Sequence, residues 1–185
     1  QLQMIWPEGT PLPAETPLGE EYRLRTFTPA DTAEYLRLMH GAGFTEFTEA
    51  TVAEWISRVL PDGWFVVEHL PTGQLVATAL SSHRATDLHP AGGELGWVAG
   101  DSAHSGRGLG MAVCAEVLRR FRRAGYHRVY LSTDDWRIPA IKIYLKLGFL
   151  PFLFAPDMHD RWQAICETLN WPFTPDAYPT VPFAA

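Results

Sequence analysis

The stretch HSGRGLGMAV, residues 104–113, places three glycines at alternate positions around one arginine and then runs into an apolar repeat. Gly106, Gly108 and Gly110 are costly in conformational entropy, so their density indicates a tight turn or a close approach to the backbone. A glycine-rich turn that opens a helix also presents unpaired N–H groups beside the positive end of the helix dipole. The stretch therefore predicts an anion-binding site, with a turn of purely structural use as the alternative.

Two well-known phosphate-binding motifs do not fit this stretch. A P-loop requires a Lys directly after its last glycine, and no Lys follows here. A dinucleotide site requires G-x-G-x-x-G after the first strand and an acidic residue about twenty positions later. The spacing here is G-x-G-x-G, and Arg128 and Tyr130 stand where the acidic residue would fall. If the stretch binds a phosphate, it therefore does so through a different motif.

The segments on either side of the glycines predict an alternation of strands and helices. Leu109, Val113, Val117 and Phe121 repeat at intervals of four and predict a long helix directly after the glycines. Apolar runs predict strands, which we place at 22–27, 64–68, 75–80, 94–98, 129–133 and 149–154. Helical periodicity and capping residues predict further helices, from Thr28, from Thr51, at 138–147 and at 157–169. The order β-α-α-β-β-β-α-β-α-β indicates an α/β or α+β fold with a mixed sheet.

Composition divides the chain into a central domain and two flanking segments. Residues 1–20 are rich in Pro, Gly and Glu, so we expect an extended arm over the surface. Residues 21–155 form the single domain, and residues 156–185 form a C-terminal helix and a Pro-rich tail. The 185 residues, 46% of them hydrophobic, suit one compact core of ordinary size.

Charge and residue usage exclude several classes of partner. The net charge of −6 argues against nucleic acid, which would need a basic surface. No apolar run reaches the about 18 residues of a membrane span, and the first residues lack a signal-peptide pattern. Cys114 and Cys166, like the seven His residues, show no metal-ligand spacing. We therefore expect a cytoplasmic protein with free thiols, no metal and no membrane partner.

A second segment gives the glycine stretch its context. Residues 134–149, DDWRIPAIKIYLKLGF, closely resemble the A-I-x-L-Y-x-x-L-G-F signature of the GNAT superfamily of acyl-CoA-dependent N-acetyltransferases. The glycine stretch resembles the [RQ]-x-x-G-x-[GA] loop of that superfamily, and it lies in the expected place, about thirty residues earlier. The resemblance covers roughly residues 22–155. It implies a GNAT-like mixed central sheet flanked by helices, here with an appended C-terminal helix, and acetyl-CoA as cosubstrate.

The resemblance also implies which residues hold coenzyme A. The loop amides would bind its pyrophosphate, and the strand before the loop would hydrogen-bond its pantetheine arm. Carried over, the residues that contact the cofactor are Arg107, Gly108, Leu109, Gly110 and Met111, with Val98 and Ala99 beside the pantetheine. Two positions depart from the family pattern. Ser105 replaces the usual Arg or Gln, and Arg137 replaces an Asn that often contacts the cofactor.

Two residues are candidates for the catalytic groups. Tyr144 matches the general acid of the superfamily, a phenol that can protonate the departing sulfur. Glu94 lies fourteen residues before Gly108, at the offset of the catalytic Glu in the histone-acetylating branch, and could accept a proton directly or through water. The alternative for Glu94 is a solvated strand end after Gly92 and Gly93, and the alternative for Tyr144 is a packing role.

These assignments lead to a functional hypothesis with open alternatives. The chain is expected to transfer an acetyl group from acetyl-CoA to a primary amine, by direct attack in a ternary complex. The acceptor would be a small molecule or a peptide N-terminus, contacted by the loops around 41–50 and 84–93, and the protein could form a homodimer. One alternative is a non-catalytic acyl-CoA sensor on the same fold, and another is an unrelated nucleotide-binding protein.

Overall fold

The computed structural model describes residues 1–181, and a seven-stranded mixed sheet forms its centre. The strands are β1 (Leu2–Trp6), β2 (Tyr22–Thr26), β3 (Val59–His69), β4 (Gln74–His83), β5 (Gly93–Gly100), β6 (Val129–Thr133) and β7 (Leu150–Pro151). They lie in the order β2-β3-β4-β5-β6-β1-β7. Each neighbouring pair is antiparallel except β5 and β6, which are parallel.

Five helices cover the two faces of the sheet. They are α1 (Thr32–Gly41), α2 (Glu49–Arg58), α3 (Leu109–Arg123), α4 (Ile138–Lys146) and α5 (Met158–Leu169). The last three share one apolar cluster with the sheet, and the first two form a second cluster on the other face. The structure confirms the predicted α+β fold, a mixed sheet flanked by helices with an appended C-terminal helix. Residues 182–185 of the predicted tail lie outside the described residues.

The prediction of a surface arm over residues 1–20 is wrong for residues 2–6. Leu2–Trp6 form strand β1, which pairs with β6 on one side and with β7 on the other. The side chains of Leu2 and Met4 are fully buried. The strand is stabilised by partner strands more than a hundred residues away in the chain. Its apolar stretch is short and is followed by the Pro-rich residues 7–20, so the sequence gives little indication of a strand.

The rest of the predicted arm, residues 7–20, contains no regular element and runs along helix α3. Arg122 and Arg119 on that helix donate hydrogen bonds to the carbonyls of Thr10 (2.8 Å) and Pro13 (2.7 Å). Thr16 then reaches the first turn of the helix, close to Gly108. These two arginines therefore fasten this segment to the domain.

Strands β5 and β6 separate almost as soon as they meet. Only two residue pairs join them, Gly93 with Val129 and Glu94 with Tyr130. A bulge follows in β5, where Trp97 and Val98 lie opposite the single residue Ala79 of β4. Trp97 has a φ of 49°, which is uncommon for a residue other than glycine. The two strands thus diverge and leave an opening in the sheet.

The loop over residues 84–93 is held in place by one buried imidazole. His89 is fully buried and stacks on the Tyr130 ring, with 3.8 Å between ring centroids. Its Nδ1 accepts a hydrogen bond from Arg128 (3.1 Å), so its Nε2 carries the proton and donates to Gln3 (3.0 Å). Burial, aided by the charge of Arg128, lowers the pKa of His89 from 6.5 to about 4. The imidazole is therefore neutral in the folded protein.

We expect the free energy of unfolding to fall as the pH falls from 6.5 to about 4. Between these values the unfolded chain binds a proton at His89 that the folded chain excludes, which costs about 2 to 3 kcal/mol of stability at the lower pH. Urea unfolding of wild type and His89→Phe across this range measures the difference. The variant should show a shallower pH dependence. His127→Gln, at an exposed position, should behave as wild type, and equal slopes in all three proteins would contradict the assignment.

Candidate active site

A cavity of about 130 Å³ lies where β5 and β6 diverge. Its walls come from both strands, from helix α4 and the residues before it, from the loop between α1 and α2, from the loop that follows β4 and from the first residue of the chain. The lining residues are Gln1, Phe44, Arg84, Glu94, Leu95, Gly96, Trp97, Val98, Ser132, Thr133, Asp134, Arg137, Ala140 and Tyr144. The cavity therefore brings the predicted Glu94, Val98 and Tyr144 together.

Tyr144 reaches the cavity from the second half of helix α4. The residue is 5% exposed, and burial raises the pKa of its phenol well above the usual range. Its edge contact with the Phe149 ring, 6.1 Å between centroids, orients the ring from behind. The phenol is therefore neutral at physiological pH, which is the form that can donate a proton.

Glu94 is the last residue of β5 that pairs with β6, and it is 6% exposed. Both of its carboxylate oxygens accept hydrogen bonds from Arg84 Nη1, at 3.2 and 3.0 Å. The alternative of a solvated strand end is wrong, because Gly92 and Gly93 are closely packed: a Cβ there would lie 2.6 Å from the Tyr130 ring and 2.4 Å from the Phe121 ring. The carboxylate is held at the vertex of the opening.

The glycine-rich loop lies beyond the other end of β5, directly before helix α3. Gly106 and Gly108 have φ angles of 76° and 77°, in the left-handed region that favours glycine. Gly108 is the N-cap of α3, and the first helical hydrogen bond runs from Ala112 to its carbonyl. The amides of Leu109, Gly110 and Met111 therefore have no partner within the helix.

Gly110 is required for a different reason from that of the other two. A Cβ there would lie 2.9 Å from Ile143 Cδ1 on helix α4. Its missing side chain lets α3 approach α4, the helix that carries Tyr144, closely. The Leu109 side chain is buried in the core, so this residue offers only its backbone to a ligand.

Arg107 and Ala99 lie outside the cavity. The Arg107 guanidinium donates to the Glu21 carboxylate at 2.9 Å and lies 5.8 Å from the centre of the Tyr22 ring. Ala99 is buried against the helix α1 side of the sheet, so its side chain is not available to a ligand. The predicted site residues therefore fall into two groups. One group lines the cavity between β5 and β6, and the other lies in the glycine-rich loop beyond the far end of β5.

Sequence reasoning missed several residues of the cavity wall. Arg84 and Phe44 come from the two loops expected to contact the acceptor, but neither residue was singled out within them. Thr133 has a buried hydroxyl without a hydrogen-bond partner among the described residues. Arg137 was noted only as a departure from the family pattern. Residues from separate loops carry no shared spacing, so no sequence signal predicts that they meet.

The described residues, 1–181, hold neither a cluster of metal-ligating side chains nor a membrane-spanning helix. They contain no group of three or more His, Cys, Asp or Glu side chains placed to hold a metal ion. Within the same range, no helix combines the length and apolar character that crossing a bilayer requires.

The fold and the loop together define a class of protein. The sheet opens at its parallel strand pair, and a helix with a glycine-rich start follows the strand that diverges. Residues 28–149 match the model of the Acetyltransferase (GNAT) family. The chain belongs to this family.

Curated relatives and solved structures agree with this assignment. The mycothiol acetyltransferase of Thermobispora bispora is 31% identical over 156 residues, which are 80% of this chain and 52% of that protein. The chain thus spans about half the length of the curated relatives it matches. A GCN5-related N-acetyltransferase from Sphaerobacter thermophilus superposes with a TM-score of 0.64 at 23% identity, over 81% of this chain and 49% of that one.

A further solved structure was determined with a bound cofactor. The yncA protein of Salmonella typhimurium, solved with its cofactor acetyl-CoA, superposes with a TM-score of 0.54 at 19% identity, over 70% of this chain and 79% of that one. At this identity the likeness establishes the shared fold.

We expect Gly108→Ala to lower the free energy of unfolding by more than Gly106→Ala does. Both changes place a side chain in the left-handed region, at about 1 to 2 kcal/mol each. The Cβ at Gly108 would also lie 3.1 Å from Thr16 Cγ2, whereas that at Gly106 meets open space. Urea unfolding measures both. Gly41→Ala, in helix α1 with open space around it, serves as control and should not destabilise. Equal stability of all three variants would show that the loop is not held in this conformation.

Proposed function

We propose that the protein transfers an acetyl group from acetyl-CoA to a primary amine by direct attack in a ternary complex. The observation that carries the proposal is the cavity between β5 and β6, which Tyr144 and Glu94 line from two different elements. Membership of the family and the acetyltransferase names of its relatives support the chemistry.

The residues at the glycine-rich loop fit a pyrophosphate. The first-turn amides of α3 are unpaired within the helix, and the positive φ of Gly108 places them after a turn without a side chain. Helix starts of this kind bind phosphate through their N–H groups and the helix dipole. Arg107 adds a positive charge beside the loop. Val98 lines the cavity beyond it, so a pantetheine arm would run along β5 toward Glu94, contacting Ala99 through its backbone.

The reaction needs three groups in one place. The amine gives a proton to the Glu94 carboxylate, directly or through a water molecule, because an ammonium has no lone pair with which to attack. The amine nitrogen then forms a bond to the thioester carbonyl carbon, the carbon–sulfur bond breaks, and the nitrogen releases its second proton to water as the neutral amide forms. The Tyr144 phenol donates its proton to the departing sulfur, which leaves as a neutral thiol. Solvent afterwards restores both side chains to their starting protonation states.

Cys114 has no place in this scheme. It lies fully buried within helix α3, and burial raises the pKa of its thiol to about 12. A thiol that is not ionised at physiological pH is a poor nucleophile. An acyl-enzyme on this residue is therefore not part of the proposal, which favours direct attack.

Binding of acetyl-CoA is tested by thermal unfolding of the protein in the presence of acetyl-CoA, ATP or NAD. A ligand at a hundred times its Kd stabilises the folded state by about 2.7 kcal/mol. We expect acetyl-CoA to raise the Tm, and the two nucleotides to raise it less. An unchanged Tm at millimolar acetyl-CoA would contradict the proposal. Stabilisation together with no acetylated product across a broad amine panel would favour the non-catalytic sensor instead.

We expect Tyr144→Phe to lower kcat about 100-fold or more while acetyl-CoA still raises the Tm, because the change removes only the donated proton. Glu94→Gln should also lower kcat, because the amide cannot accept a proton. Steady-state kinetics with the best amine of the panel provides the measurement. Tyr126→Phe, which loses only a hydroxyl contact to His83 outside the cavity, should retain turnover. If Tyr144→Phe also retains turnover, Tyr144 is not the general acid.

A further inference from the structure

Arg137 crosses one side of the cavity from the start of helix α4. Its guanidinium carbon lies 4.2 Å from the centre of the Trp136 ring and 4.3 Å from the centre of the Phe44 ring. Phe44 belongs to the loop between α1 and α2, so the arginine bridges two elements that are distant in sequence. Contacts with two aromatic rings hold the flat group in one orientation.

The same guanidinium makes few hydrogen bonds for a group so well covered. The Arg137 side chain is 19% exposed, and its Nε donates to Asp134 at 3.3 Å. Its other nitrogens have no acceptor among residues 1–181. The terminal edge of this group is thus free to bind something that enters the cavity.

The other charges of the cavity are already paired. Arg84 donates to both oxygens of Glu94, so its attraction for a further anion is reduced. Asp134 is shared between Arg137 and the amide of Gln1, at 3.3 Å each. Arg84 and Arg137 each have guanidinium nitrogens without an acceptor among residues 1–181, but the Arg84 side chain is 58% exposed, whereas that of Arg137 is 19% exposed and lies between two rings. A planar guanidinium edge binds a carboxylate or a phosphate through two parallel hydrogen bonds.

We infer that Arg137 determines acceptor specificity, and that the acceptor is a small amine carrying its own anionic group, such as the carboxylate of an amino acid. The inference rests on the proposed function. Its amine would face Glu94 while its anion binds the edge of Arg137. We assign this anion to the acceptor and not to the cofactor. Arg137 contacts Phe44 of the α1–α2 loop, whereas the cofactor phosphates are expected at the start of α3.

The test uses pairs of amines that differ only in charge. Amino acids are compared with their carboxamides, and phosphoethanolamine with ethanolamine, at saturating acetyl-CoA. We expect the wild-type protein to favour the anionic member of at least one pair about tenfold or more in kcat/KM, the range for a charge-assisted hydrogen bond. Arg137→Gln should abolish this preference by raising KM for the anionic member, with a smaller effect on the neutral member.

Further variants separate this role from a structural one. Arg123→Gln removes a surface charge of helix α3 outside the cavity and should leave the preference intact. Asp134→Asn removes the carboxylate that Arg137 now contacts, so it should increase the preference. This second change keeps the inference testable if Arg137→Gln does not fold, because it predicts an effect in the opposite direction.

The outcomes distinguish the two proposals. Acetylation with equal kcat/KM for both members of every pair overturns the inference and leaves the proposed function standing. An effect of Arg137→Gln on succinyl-CoA against acetyl-CoA, with no effect on the acceptor pairs, also overturns it. Failure to acetylate any amine, together with an unchanged Tm in acetyl-CoA, overturns the proposed function and the inference with it.

Discussion

The short contact between β5 and β6 is the constraint on which the site depends. Strand β5 pairs with the antiparallel strand β4 on its other side, and β6 pairs in the same way with β1. Neither strand therefore needs more than two residues of parallel pairing with the other. Gly93 allows β5 to begin directly against Phe121 of helix α3. The bulge at Trp97 then turns the strand away. Since the vertex is packed on both sides, the opening is a fixed part of the fold.

Two ion pairs lie beside this opening, Arg84 with Glu94 and Arg137 with Asp134, and they differ in how easily the arginine can leave its partner. Glu94 is buried, whereas the Arg84 side chain that holds it is 58% exposed. An exposed partner contributes little to stability, so Arg84 can be displaced from the carboxylate at small cost. In the proposed reaction, Glu94 would thus be held in position and would still be able to accept a proton. Arg137 is fixed between two aromatic rings and cannot be displaced in the same way. It is therefore better suited to binding a ligand than to releasing a partner.

Sequence reasoning predicted the elements whose signal is local. The helix after the glycines and the segment ending in Gly148 carry their own periodicity and caps, so α3 and α4 were placed well. Strand β1 was missed, because its stability comes from β6 and β7 rather than from its own residues. The contact between Arg84 and Glu94 was also beyond prediction, since it requires the loop of residues 84–93 to fold back, which the Arg84 amide secures on the Gly92 carbonyl at 2.9 Å.

The family motif predicted the position of the loop but not the source of its charge. Ser105 stands where the family has Arg or Gln, and the nearest cation is Arg107, two residues later. Arg107 is paired with Glu21, yet the two side chains are 50% and 44% exposed. Such a pair contributes at most about 1 kcal/mol, less than a guanidinium gains from a doubly charged pyrophosphate at a helix start. In the proposed complex with coenzyme A, Arg107 would therefore supply the charge that Ser105 lacks, from the side of the loop that faces β2.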